Sequence, residues 1–430
     1  MNATEKRLDS EAQRSNHEAE QSEGIAQPDS QSDRSMHPAT SAYWNRSASP
    51  ARRGLSTLIL YSGFAATGIG MSLPGSVLPA LLARLSLNDN QAGFFFFVGW
   101  LGTSIGALLV RRSRVASIAL ASSLTALGSS GLAYSNHHSW LTLMACYAAM
   151  ACYGTGLGMA MTAISLHQAA LHVEQRAMEL NRLNLIWALG ALAGPVLGAH
   201  SLRVASVRSI YSIIGLFFTL FALWVFARER DVAVAETASI ENVSRGRGQW
   251  PLAAWPLPIL LVIFLPTGME ASMGAWTAAY VQRSHQAIAT TVTAGSCFWL
   301  GLLLSRAVST FLLQKRRVER TLLTASLLVL VTGSAVLMAT TATTSTLPAL
   351  FLIGFGLGPV YPLLLAIALA FSDATPIFFL AGLGSAFMPW LTGIVSAQAH
   401  SLRIGLVVPL AASVAMLLLS LRLPATPLQR

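Results

Sequence analysis

From about residue 54 the chain is written as long apolar runs separated by short polar connections, and twelve such runs can be counted. Their spans are 55–83, 91–110, 115–135, 140–168, 180–200, 205–227, 255–281, 289–313, 320–341, 345–371, 376–399 and 402–421. Each is long enough to cross a hydrocarbon core of about 30 Å, which takes about 17 to 25 apolar residues. None alternates apolar and polar positions with the period of a strand. Only helices or closed barrels satisfy every backbone group in lipid, so the runs predict twelve membrane helices.

The polar positions divide the chain. Residues 1–53 hold seven Lys/Arg and eight Asp/Glu among few large apolar residues, which predicts a disordered tail, and no apolar core of a signal peptide lies in the first twenty residues. The stretch 229–254 is the longest polar connection and separates a bundle at 54–228 from one at 255–421, with 422–430 as a short tail. Basic residues cluster on alternate connections. Arg46, Arg52, Arg53, the run Arg111-Arg112-Ser113-Arg114, Arg176, Arg182, Arg228, Arg230, Arg245, Arg247, Lys315, Arg316, Arg317 and Arg320 fall on one side, against Arg84, Arg203, Arg208, Arg283 and Arg403 on the other. The richer side is expected to be cytoplasmic, which puts both termini inside and makes the protein a multi-pass plasma-membrane protein, of the inner membrane in a bacterium.

The two bundles repeat each other. Ala199-His-Ser-Leu-Arg203 returns at Ala399–Arg403, Gly154-Thr-Gly156-Leu-Gly158 at Gly354-Phe-Gly356-Leu-Gly358, and Trp100-Leu-Gly102 at Trp299-Leu-Gly301. Leu189-Gly190 with Pro195 answers to Leu383-Gly384 with Pro389, and Gly68 to Gly268. Six is even, so both copies enter the membrane from the same side. The predicted fold is all-α, two parallel six-helix repeats related by an axis along the membrane normal, an architecture that encloses a site near the midplane. The AHSLR copies are read as inherited turns whose arginines anchor at the interface.

Composition narrows the chemistry. Only 11% of residues are charged and 53% are hydrophobic; the net charge of +10 is spread over connections between apolar runs, which fits a lipid surface and not nucleic acid. Cys146, Cys152 and Cys297 lie singly inside apolar runs, so neither a metal site nor a disulfide framework is expected. No GxxxxGK[ST] occurs, and Gly154-Thr-Gly156 continues to Met159 with no strand before it, so no nucleotide cofactor is implied. No nucleophile, base and metal set converges, and an enzyme is not expected.

Gly268-Met-Glu270-Ala-Ser-Met-Gly274-Ala-Trp276, Phe298-Trp299-Leu-Gly301 with Arg306, Gly354–Gly358 with Tyr361-Pro362, Gly384 with Pro389-Trp390, and Asn181, Asn184, Trp187 with Gly190–Pro195 resemble the major facilitator superfamily, within it the fucose-permease-like branch. The resemblance covers nearly everything after residue 54. It implies the major facilitator fold and secondary transport by alternating access. Two features depart from it: Gly102 and Gly106 lead directly to Arg111-Arg112-Ser113-Arg114 without the acidic residue of that turn, and the first and fourth runs hold no carboxylate.

Glu270 is the only carboxylate within the twelve runs, about 20 Å along the seventh. A charge at that depth is costly and belongs in a wet cavity or against a partner, so Glu270 is expected to bind a proton or the solute. Arg306 lies near the inner end of the eighth run and is expected to be structural or gating, together with Gly358 and Pro359. A direct Arg306–Glu270 pair is not expected, their depths differing by about 10 Å. Asn184, Trp187, Trp276, Trp299 and Tyr361 combine flat apolar faces with hydrogen-bonding groups and are expected to contact solute, Trp276 only if Pro266, Gly268 and Gly274 bend the helix. His167 and Gln168 are expected on a polar rim. The sequence thus reads as a monomeric secondary transporter of a small polar, sugar-like solute, coupled to protons by symport. Proton-driven export of amphipathic compounds, and a non-transporting receptor or scaffold, are the competing readings.

Overall fold

The computed structural model describes residues 56–110, 113–135, 139–172, 176–204, 206–236, 257–284, 288–315, 319–340, 342–369 and 374–421. The proposed tail 1–53, the greater part of the linker and the end 422–430 lie outside the described residues. Among the described residues twelve helices follow one another. They are α1 (Thr57–Ser76 and Leu78–Leu85), α2 (Asp89–Leu108), α3 (Arg114–Tyr134), α4 (Trp140–Leu171), α5 (Arg176–Val204), α6 (Val207–Glu236), α7 (Leu257–Arg283), α8 (Ile288–Lys315), α9 (Glu319–Ala339), α10 (Thr343–Leu357 and Val360–Leu369), α11 (Ala374–Ala399) and α12 (Leu402–Gly405 and Val407–Leu421). Eleven are long and apolar enough to cross a membrane. Among the described residues, the seventh, α7, is not one of these.

Local chemistry explains the ends. Asn88 caps α2 in a reciprocal box with Gln91, and Ser139 caps α4 in the same way with Thr142. α1 breaks at Val77, where Pro79 opens the second piece, and α10 breaks at Gly358-Pro359. α6 runs eight residues past the expected boundary at 228, to Glu236, because Arg-Glu-Arg-Asp-Val-Ala-Val-Ala-Glu holds good helix formers and a helix needs no lipid once it leaves the membrane.

The repeat is built into the packing. A β-carbon at Gly154 would stand 2.0 Å from the Gly99 carbonyl oxygen, and one at its copy Gly354 would stand 2.0 Å from the Phe298 carbonyl oxygen. Gly190 meets the Ala65 carbonyl at 2.1 Å, and its copy Gly384 meets that of Phe264 at 2.0 Å. Equivalent glycines therefore seat α4 on α2 and α10 on α8, then α5 on α1 and α11 on α7, backbone against backbone. Gly354→Ala is expected to cost at least about 2 kcal/mol, since backbone on both sides must move. Thermal unfolding of the purified variant checks this, and an unchanged Tm would mean that the helices are free to separate.

Arginines finish both halves at one end. Arg84 donates to the Ala133 and Ser135 carbonyls at the end of α3 (2.6 and 2.7 Å), and Arg403, from the second AHSLR copy, donates through Nε to the Met338 carbonyl at the end of α9 (2.9 Å). Cations at helix C-termini meet carbonyls that have no helical partner. These two arginines are thus helix caps.

Candidate solute cavity

Between the halves lies a cavity of about 360 Å³, within the range of small-molecule sites. From the first half it is lined by Gly70, Met71, Phe96, Trp100, Thr103, Ser104, Ala107, Met150, Tyr153, Met161, Thr162, Asn184 and Trp187. From the second come Thr267, Glu270, Gly274, Trp299, Arg306, Tyr361, Gly382 and Ser385. Of the solute-contact residues expected from sequence, Glu270, Asn184, Trp187, Tyr361 and Trp299 therefore share one chamber.

Trp276 does not. It is fully buried, its indole N–H donates to the Pro389 carbonyl at 2.9 Å, and its ring packs on Phe96. It faces away from Glu270 around α7, and the helix does not turn it inward. Trp276 is a tie between α7 and α11.

The expectation about Arg306 is also corrected. Its Nη2 lies 3.0 Å from Glu270 Oε2, and the pair faces the cavity with the two side chains 27% and 17% exposed. The depth estimate failed at the helix ends: α8 continues to Lys315, which puts Arg306 about 14 Å deep against about 20 Å for Glu270. An arginine stem covers the remaining gap. Arg306 Nε also donates to the Gly358 carbonyl at 3.4 Å. That carbonyl is free because its helical partner four residues on is Pro362, which has no N–H. The break at Gly358-Pro359 thus presents a backbone acceptor that holds the cation on the far side from the carboxylate.

The polar inventory is small. Thr103 donates to the Gly99 carbonyl, Ser104 to Trp100, Thr162 to Gly158, Thr267 to Ala381, Ser385 to Thr267 and Tyr153 to Gly70, all at 2.7 to 3.3 Å. Their protons are committed to the scaffold. Asn184 stays exposed, and the Trp187 indole N–H has no partner while its ring meets Trp299 edge-on at 5.9 Å.

The cavity is closed at the end away from the described termini. There Asp89, first residue of α2, takes two hydrogen bonds from Arg283, last residue of α7, at 2.6 and 2.7 Å, and a third from Ser396 of α11 at 2.5 Å. Trp390 Nε1 donates to Asn90 Oδ1 at 3.0 Å, and Phe94, Phe97, Phe387 and Trp390 pack ring on ring beneath it. Gly93 and Gly393 let α2 and α11 touch. Toward the other end the lining reaches Ala107, in the last turn of α2.

Sequence reasoning missed this clasp because its members look like ordinary surface and turn residues. It also missed Glu179: α5 begins at Arg176, so a second carboxylate lies in the helical bundle, 2% exposed, accepting hydrogen bonds from Tyr61 and Arg182. His167 and Gln168 are buried, not on a rim, since α4 continues past them to Leu171.

The profile of the Major Facilitator Superfamily matches residues 60–376. The chain belongs to that superfamily. This facilitator-superfamily protein has the superfamily's twelve-helix fold, is a multi-pass membrane transporter and is not an enzyme. Its structure is similar to the xylose transporter XylE from E. coli in a partially occluded inward-open conformation, with TM-score 0.69, 14% identity and coverage of 86% of this chain and 97% of that one. It is also similar to a bacterial homologue of the human lysosomal transporter Spinster, inward-facing and occupied, with TM-score 0.65, 12% identity and coverage of 87% and 97%. A D-xylose-proton symporter matches at TM-score 0.63 and 12% identity, with coverage of 84% and 96%. At these identities the likeness is one of fold. No curated protein sequence matches the chain. The comparisons reach the superfamily and not the fucose-permease-like branch.

Proposed function

We propose that the protein is a proton-coupled secondary transporter of a small organic solute, working by alternating access, with Glu270 as the proton-binding carboxylate. The observation that carries this reading is the Glu270–Arg306 pair at 3.0 Å, set in the wall of a chamber between two repeated halves. An ionisable pair inside a membrane domain is expensive and marks an ion or substrate path. The clasp at one end and the cavity's reach toward the other support a state open on the side of the termini. With both termini cytoplasmic, as the basic connections favour, that state faces inward.

Two solute classes compete. A sugar-like molecule is favoured by the likeness in fold to the two xylose transporters named above and by the Trp187–Trp299 pair beside Asn184. The lining itself favours a less polar solute, because most hydroxyl protons are already donated to the backbone and Met71, Met150, Met161, Phe96 and Trp100 supply the remaining surface. The same apolar lining fits the export reading, proton antiport of amphipathic compounds.

Purified protein in liposomes with an imposed pH gradient tests the reading against a labelled panel of sugars, organic acids and lipophilic cations. Accumulation that collapses with a protonophore is expected. Flux only into an acid-loaded side, in exchange for protons leaving it, would make it an exporter, and no flux of any compound under any gradient would leave a receptor or scaffold.

A further inference from the structure

The chamber's charges point to one solute class. Among the described residues, Arg306 is the only cationic side chain in the lining and Glu270 the only carboxylate. The second acceptor on Arg306, the Gly358 carbonyl, is neutral. Every element packed on α7 leaves the pair isolated. α8 contributes Arg306 and α10 contributes Tyr361, whereas α1 and α11 face it with Gly70, Met71, Gly382 and Ser385, and α12 carries no titratable residue between Val407 and Leu421. When a proton settles on Glu270, Arg306 loses its counter-ion, and no other described side chain in the lining can replace it. The unspent groups nearby are mostly donors: the Arg306 guanidinium and the Trp187 indole N–H. They call for an acceptor with negative charge, set on a body that suits Met71, Met161 and Trp100.

We infer that the solute is an organic monoanion, a carboxylate on an apolar or aromatic body, carried together with one proton. The proton occupies Glu270, and the carboxylate takes its place on Arg306. No covalent bond changes; one positive and one negative charge cross together, so the step is electrically neutral. A carboxylate suits a guanidinium better than a hydroxyl does, since two parallel N–H bonds meet two oxygens. This inference rests on Glu270 being the proton site.

Benzoate, phenylacetate and octanoate, each paired with its amide, and xylose as the neutral polar probe, test it by thermal shift on the full-length protein and by flux in liposomes. At least one acid is expected to stabilise the wild type where its amide does not. Its apparent affinity should weaken as the pH rises, by up to about tenfold per pH unit, because one proton binds with it. Glu270→Gln is expected to bind that acid with no pH dependence, and Arg306→Gln to lose it. Should Arg306→Gln not fold, Arg306→Lys keeps the charge and is expected to bind more weakly. Uptake should ignore a valinomycin-clamped potential. Amides or xylose binding as well as the acids, or a voltage-dependent uptake, would overturn the anion assignment while leaving proton-coupled transport standing. Absence of proton-driven flux for every probe, with the pH-independent binding of acids retained, would overturn the coupling reading instead.

Discussion

Glu270→Gln is expected to abolish accumulation of solute against its gradient while leaving exchange of solute for solute. The amide cannot lose a proton, so the carrier cycles with its load and never couples to the pH gradient. The variant also deprives Arg306 of its counter-ion. Breaking a fully buried pair costs about 3 to 5 kcal/mol. Here the two side chains retain 17% and 27% of their exposure to a wet cavity, and about 1 to 2 kcal/mol is the fitting figure. That corresponds to a roughly tenfold change in the population of the unloaded state. Parallel measurement of pH-driven uptake and of equilibrium exchange separates the two effects. Uptake at wild-type level would remove Glu270 from the coupling step.

Asp89→Asn should have the second largest effect, and at a distance from the solute. It removes the charge that holds Arg283 and weakens the bond from Ser396, so the first half loses its main polar tie to α7 and α11 at the closed end. Arg283 is 40% exposed, so the loss is about 1 to 2 kcal/mol, a roughly tenfold shift toward the state open at that end. The aromatic packing of Phe94, Phe97, Phe387 and Trp390 remains and limits the shift. Spin labels at the exposed positions Ala83 and Gln282, one in each half, report the opening as a longer distance population. An unchanged distribution would mean that the clasp follows closure and does not hold it.

The two variants act on one cycle from opposite ends. A carrier must not open to both sides together, and ties on one side have to be weak enough to break at the cost that solute binding supplies. A bidentate pair at a partly wet edge meets that requirement better than a dry hydrophobic seam. The glycines that bring α2 against α11 give that edge its close fit, and a small side-chain network makes it reversible.

Much of the fold was legible because it depends on quantities that run along one dimension. The length of an apolar run decides whether a helix can span, and a repeated spacing marks a duplicated bundle. Gly154 and Gly354 were recognisable as copies at an offset of 200, and the structure shows them making the same backbone contact. Glu270 was legible for a related reason, as a lone charge deep in an apolar segment. Asp89 was not, since an acidic residue at the start of a helix is common and only the opposite half gives it meaning.

Sequence by itself determined the helices, their order, the twofold repeat and the one carboxylate in the middle of the membrane domain, because hydrophobic length and periodicity are paid along the chain. Tertiary structure alone decided that Arg306 reaches Glu270, that Trp276 turns to Pro389 and away from the chamber, and that Asp89 and Arg283 close one end. Those outcomes depend on where helix ends fall and which helix faces meet, and residues 36, 113 and 194 positions apart carry no local signal of their pairing.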